Sequence, residues 1–137
     1  MAVITVTATA IIPVSTSSPQ YKEGTFGGTV TAGAFVYESA TGVYSLAECD
    51  GVAALAAVVG VAVNGGAVGQ YAKIQIAGDV TTDAVWTAGV RYYLSGTLGK
   101  ACLYTDLAST NKICEVGWAT STTNFRIDIT NTGLAVA

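Results

Sequence analysis

The stretch "TAGAFVYESATG" at residues 31–42 returns as "TAGVRYYLSGTLG" from Thr87 onward. Thr31-Ala32-Gly33 matches Thr87-Ala88-Gly89, and Tyr37, Ser39 and Thr41 match Tyr93, Ser95 and Thr97. Past one inserted residue, Gly42 matches Gly99 and Leu46 matches Leu103. "VGVAV" at 59–63 then matches "VGWAT" at 116–120, and "AKIQIAG" at 72–78 corresponds to "FRIDITN" at 125–131. A unit of about 50 residues buries too little apolar surface to stand alone. Two such units therefore have to share a core, which makes the chain one domain over residues 1–137.

Each unit reads as about four strands. A TAG turn precedes an extended run, a glycine supplies the positive φ of a hairpin, and a return strand follows. Next comes a strand containing Gly60 or Gly117, and then an alternating closing strand. In the closing strands Ile74 and Ile76, or Phe125, Ile127 and Ile129, are expected to face inward. Lys73 and Gln75, or Arg126 and Asp128, are expected to face outward. Composition agrees: Val, Ile and Thr supply 44 of 137 residues and Leu only 7, and branched side chains suit pleated sheets better than helices. The predicted class is all-β, a small barrel or sandwich built from two similar β-repeats at 31–86 and 87–137. An N-terminal strand and arm at 1–30 precede them.

In that N-terminal region Ile4, Val6, Ala8 and Ala10 alternate with Thr5, Thr7 and Thr9, which predicts a strand from Met1 to Ile12 ended by Pro13. Ser17 to Gly28 has no period and reads as an extended arm or long loop. Arms of this kind often order against a neighbour. Ile4 and Val6 on the strand, and Tyr21 and Phe26 on the arm, are the candidate partner contacts.

Six basic residues against nine acidic ones give a net charge of −3 with no basic run, so no electrostatic footprint for nucleic acid exists. No window approaches the roughly 18 consecutive apolar residues of a membrane span. The N-terminus lacks the basic start of a signal peptide. Cys49, Cys102 and Cys114 lack CxxC spacing and read as small buried thiols in a reducing cytoplasm.

Catalytic patterns are weak. The chain has no His, which removes the commonest general base and metal ligand. Lys22 follows Ser15, Ser17 and Ser18 in a polar loop-like segment, which is a poor setting for a Ser–Lys pair. Glu48 with Asp50, and Asp79 with Asp83, sit beside glycines and read as solvated turn residues. "AECDG" lacks the alternating oxygens of a calcium loop. "NGGAVGQ" at 64–70 lacks the GK[ST] ending of a phosphate loop, and its Asn-Gly pair reads as a hairpin turn. Trp86 and Trp118 read as core or interface residues more readily than as sugar platforms. The expectation is a protein with no enzymatic activity and no cofactor.

"GVAVNGGAVGQYAKIQIAGDV" at 60–80 resembles the core of small tailed-phage head-decoration, or capsid cement, proteins. Those carry G-V-A-x-x-x-A-x-x-G-x-x-x-x-V-x-x-x-G after an aGxxVy strand. "AGVRYYLSGTLGK" followed by "EVGWATSTTNFRIDI" is similar to a module of phage head and tail fibres, written G-x-x-Y-Y-L-S-x-x-x-G and then V-G-x-A-x-S-x-T. The resemblance spans Thr31 to about Thr130. It implies a virion structural protein on the capsid exterior, made in the host bacterial cytoplasm. Its partners would be the major capsid protein and further copies of itself, since cement proteins of this kind are often trimers. The alternative it leaves is a small head-fibre or tail-fibre component with a receptor- or glycan-binding role.

Overall fold

The computed structural model describes residues 3–137. Among them are ten strands: β1 Ile12–Pro13, β2 Gln20–Phe26, β3 Phe35–Ala40, β4 Val43–Leu46, β5 Val58–Ala62, β6 Tyr71–Thr81, β7 Arg91–Leu94, β8 Ala101–Cys102, β9 Lys112–Ala119 and β10 Asn124–Ala135. Four short 3-10 turns, Ala8–Ala10, Ser15–Ser17, Ala53–Ala56 and Tyr104–Asp106, supply the helical content. None of these is long and apolar enough to cross a membrane. The chain is all-β, as its branched residues and turn glycines predict.

The strands form one mixed sheet in the order β2-β4-β3-β5-β6-β10-β9-β7-β8, and β2 pairs again with β6. β6 is the spine. Over Tyr71–Ala77 it pairs with β2, with β5 on its other edge at Ile74 and Gln75; over Gly78–Thr81 it pairs with β10, with β1 on its other edge at Val80 and Thr81. The exchange of partners happens at Gly78, which has φ 88°. A Cβ there would lie 2.8 Å from Pro19 Cα, so glycine is what lets the incoming chain cross the spine.

Two apolar clusters result. The smaller holds Phe26, Val30, Val36, Tyr44, Ala62 and Ile74. The larger gathers Phe35, Val61, Trp86, Tyr92, Val116 and Phe125 with their neighbours. Consecutive residues split between the two: Phe35 and Val61 enter the larger, Val36 and Ala62 the smaller. β3 and β5 are thus a wall with a core on each side, as alternating strand geometry demands. In the larger core Trp86 lies 4.8 Å from Tyr92 and 4.6 Å from Phe125, centroid to centroid. Such ring pairs each contribute about 0.5–1.5 kcal/mol beyond area burial.

The N-terminal region departs from its alternating pattern. Met1 lies outside the described residues. Ile4 makes a single bridge, its N–H donating to Ala101 O at 2.8 Å, and the chain then turns through Ala8–Ala10. At this departure Asp83 holds the chain, its carboxylate accepting from Thr7 N–H at 3.0 Å and from Thr7 Oγ1 at 2.8 Å. The expected arm is a strand: β2 pairs antiparallel with β6 from Gln20 to Thr25 and parallel with β4 at Thr25 and Phe26. It satisfies two sheet edges that otherwise lack partners. These pairings cross the boundary drawn at residue 30.

Two smaller expectations also fail. Asn64-Gly65 is no two-residue hairpin turn, because β5 ends at Ala62 and β6 starts at Tyr71, and the left-handed residue of the loop is Gly69 (φ 81°). Gln75 does not point outward. It is fully buried, and its Nε2 donates to Ala77 O at 3.1 Å and to Asp79 O at 2.9 Å.

Candidate functional site

The four candidate contacts divide. Ile4 and Val6 come together and, with Phe35, Leu46, Trp86 and Leu98, line an open cavity of about 150 Å³. It lies between the N-terminal segment, the first TAG turn and the β7–β8 turn. Both residues also pack against the larger core, and Val6 sits so tightly on Gly33 that no Cβ fits there. Lys100 spans the rim, its Nζ donating to Thr5 Oγ1 at 2.9 Å. Phe26 is 1% exposed, closed into the smaller core, because parallel pairing with β4 turns it inward. It is not a surface anchor in this fold. Tyr21 stays half-buried on the β2–β6 face, with Lys73 Nζ 4.2 Å from its ring centroid. Sequence reasoning missed Leu98, half-exposed at the rim; its position as the inserted residue of the second unit was the available signal.

Two carboxylates, Asp79 and Asp83, are engaged in holding the fold. Asp79 accepts from Arg126 Nε at 2.9 Å and Nη2 at 3.3 Å, and from Asn124 Nδ2 at 2.9 Å. The Arg126 hydrogen bond holds its carboxyl below the usual range; burial opposes this, and Asn124 adds to it. The Asp79 backbone is fixed as well, by Ser17 Oγ accepting its N–H at 2.8 Å and by Val14 N–H donating to its carbonyl at 2.9 Å. Asp83 is likewise lowered by the hydrogen bonds from Thr7. The expected turn carboxylates therefore fasten the N-terminal segment to β6 and β10. Glu48 is raised, first by burial and then by Asp50 beside it. Burial pushes Cys49 up to about 11 and Cys102 up to about 12, and it raises Cys114 too. All three are free, buried thiols, protonated at neutral pH and poor nucleophiles. Among the described residues no group of three or more His, Cys, Asp or Glu is placed to hold a metal ion.

The two indoles are both engaged, Trp86 buried and Trp118 half-buried. Trp86 is 6% exposed and donates Nε1–H to Thr82 Oγ1 at 2.6 Å. Trp118 carries the Arg126 guanidinium 5.2 Å over its ring. What the surface does carry is large apolar side chains: Val68 is 70% exposed, Val52 66%, Leu134 64% and Ile12 60%. Comparison with protein-family models and with curated protein sequences returned no match.

Proposed function

We propose that this chain is a capsid decoration protein of a tailed phage, built from two copies of one β-unit. It binds the major capsid protein on the outside of the shell, as a homotrimer, and stabilises the shell by surface fit. The observation that carries the reading is a surface with large apolar side chains half or more exposed on a chain with only 15 charged residues, the sum of 6 basic and 9 acidic. Four of those charges pair with one another, Arg126 with Asp79 and Arg91 with Glu115. On a chain with so little charge, apolar side chains left this exposed are the groups a partner would cover.

The duplication is supported bond by bond. Gly33 N–H donates to Ala62 O at 2.7 Å and Ala62 N–H to Ala34 O at 2.9 Å; Gly89 N–H donates to Ala119 O at 2.8 Å and Ala119 N–H to Val90 O at 3.1 Å. Phe35, Val36 and Tyr37 face Val61, Gly60 and Val58, with a register shift after Val36. Arg91, Tyr92 and Tyr93 face Trp118, Gly117 and Glu115, with the shift after Tyr92. A register shift at corresponding positions is stronger support for a common origin than shared Gly and Ala.

The test is titration of expanded, undecorated phage capsids with the purified chain. Saturation at a ratio fixed by the lattice is the expected outcome. Binding to tails or cells with none to heads refutes decoration and favours the fibre alternative. That alternative also needs an accessible aromatic platform, against which the burial of Trp86 counts, while half-buried Trp118 has Arg126 over its ring.

A further inference from the structure

The Asn64-Gly65 pair has a chemical consequence that neither a hairpin nor a docking role absorbs. An asparagine followed by glycine is the peptide sequence most open to intramolecular attack, because glycine leaves its own amide nitrogen unscreened. In the folded chain that attack is blocked at both ends of the carboxamide. Asn64 Nδ2 donates to Tyr71 O at 2.8 Å, and Asn64 Oδ1 accepts from Lys73 N–H at 2.8 Å. The side chain thereby stands in for a strand residue opposite β6. The peptide is clamped on either side, by Val63 N–H to Lys73 O at 3.0 Å and by the paired Val30 and Gly66, each donating to the other at 2.9 Å. Gly65 itself lies against the chain at Val30, where a Cβ would be 3.0 Å from the carbonyl oxygen.

We propose that Asn64 is a deamidation site gated by opening of the β5–β6 loop, so that its conversion records how often that loop has opened. In the open loop the Gly65 nitrogen bonds to Asn64 Cγ. The Cγ–Nδ2 bond breaks, and the Gly65 amide proton departs with Nδ2 as ammonia. Water then hydrolyses the cyclic imide at one of its two carbonyls, leaving aspartate or isoaspartate. No oxidant or reductant takes part.

The product does not fit the site it came from. Aspartate sets a carboxylate oxygen against the Tyr71 carbonyl in place of a donor. Isoaspartate lengthens the main chain by one carbon between the Val63–Lys73 and Val30–Gly66 bonds. Reclosure then has to sacrifice one of those bonds beside Phe26, whose N–H and C=O pair with Gln70 and Gly69 in the same loop. The opening becomes irreversible.

The experiment is peptide mass spectrometry of the full chain aged in mildly alkaline buffer, native and in unfolding urea. Two hydrogen bonds must break before attack, so conversion at Asn64 is expected roughly 30- to 100-fold slower in the native chain. It should accelerate in sub-denaturing urea in step with hydrogen exchange at the Val63 and Gly66 amides. Equal rates in the native and unfolded chains overturn the proposal. So does a native rate that ignores sub-denaturing urea, because attack then proceeds from the closed loop. In Asn64→Asp, faster exchange of Val63 and Gly66 is expected, and unchanged protection overturns the claimed misfit. If that variant fails to fold, the ageing rates of the unmodified chain still decide the matter.

Discussion

Gly42 and Gly99 end the two hairpins with the same backbone, φ 71° and 72°, yet their surroundings are opposite. Around Gly42 a Cβ would meet nothing within 4 Å; at Gly99 it would lie 2.8 Å from Leu46 Cδ2 and 3.0 Å from Ala34 Cβ. Gly99 also donates to Ala47 O at 2.8 Å and accepts from Phe35 N–H at 2.9 Å. The first glycine answers a local demand for a left-handed residue and lends β2 its carbonyl, which accepts from Thr25 N–H at 2.9 Å, but its Cβ side is open. The second answers the same demand and in addition is the plug by which the second half seats in the first. One sequence signal, a glycine after a short strand, thus stands for two different energetic roles.

The two halves also differ in how the N-terminus closes them. The first is closed by the whole of β2, the second by β1, one bridge at Ile4 and the Thr7–Asp83 contact. Deleting residues 1–28 is therefore the harshest test. It removes Phe26 and the partner of both β4 and β6, and the chain is expected to lose cooperative unfolding by circular dichroism. A truncated chain that melts sharply near the full-length temperature would show that β2 is dispensable and the comparison misplaced.

Next in size, Gly99→Ala should destabilise by about 3 kcal/mol, combining positive-φ strain with overpacking. Gly42→Ala should cost about 1 kcal/mol from strain alone. Urea titration reads both, and equal losses would erase the distinction between plug and turn.

A smaller effect is expected from acid. The Asp79 carboxyl is held below its ordinary range in the fold, so the unfolded chain binds that proton more readily. The stability it contributes is present above the ordinary carboxylate range and is lost as pH falls through the depressed value. Asp79→Asn should flatten the acid limb of the stability profile, and an unaltered limb would assign it to other groups. Smallest of all, Thr7→Val should cost about 0.5 kcal/mol, since the contact it removes is exposed. A loss several times larger would mean that the second half is closed as firmly as the first.

Strand content and turn positions were readable because they rest on local rules: branched residues, TAG turns, glycine after a strand. What escaped depends on distant partners. Thr7 alternates with Ile and Val as a strand residue should, but Asp83, 76 positions away, holds it elsewhere. Gln20–Phe26 has no clean period because Gly24 must admit the Gly42 carbonyl, so the segment looks like loop. The closing strands pair two residues out of step with their sequence match: Ile74 pairs with Ala62 as Phe125 pairs with Ala119, whereas residue similarity sets Ala72 against Phe125. A two-residue slip keeps every side chain on its own face, so periodicity alone has no means of detecting it. Ile4 and Val6 were legible as an apolar face, but that the face turns toward its own core was not. Phe26 looked like an anchor because nothing nearby in sequence announced β4 as its cover.

β6 runs unbroken from one half into the other, serving as wall to each in turn. A ribbon owned jointly leaves no seam between the two cores. Loops at its ends still open on their own, but heat or a pull that breaks one core takes the other with it.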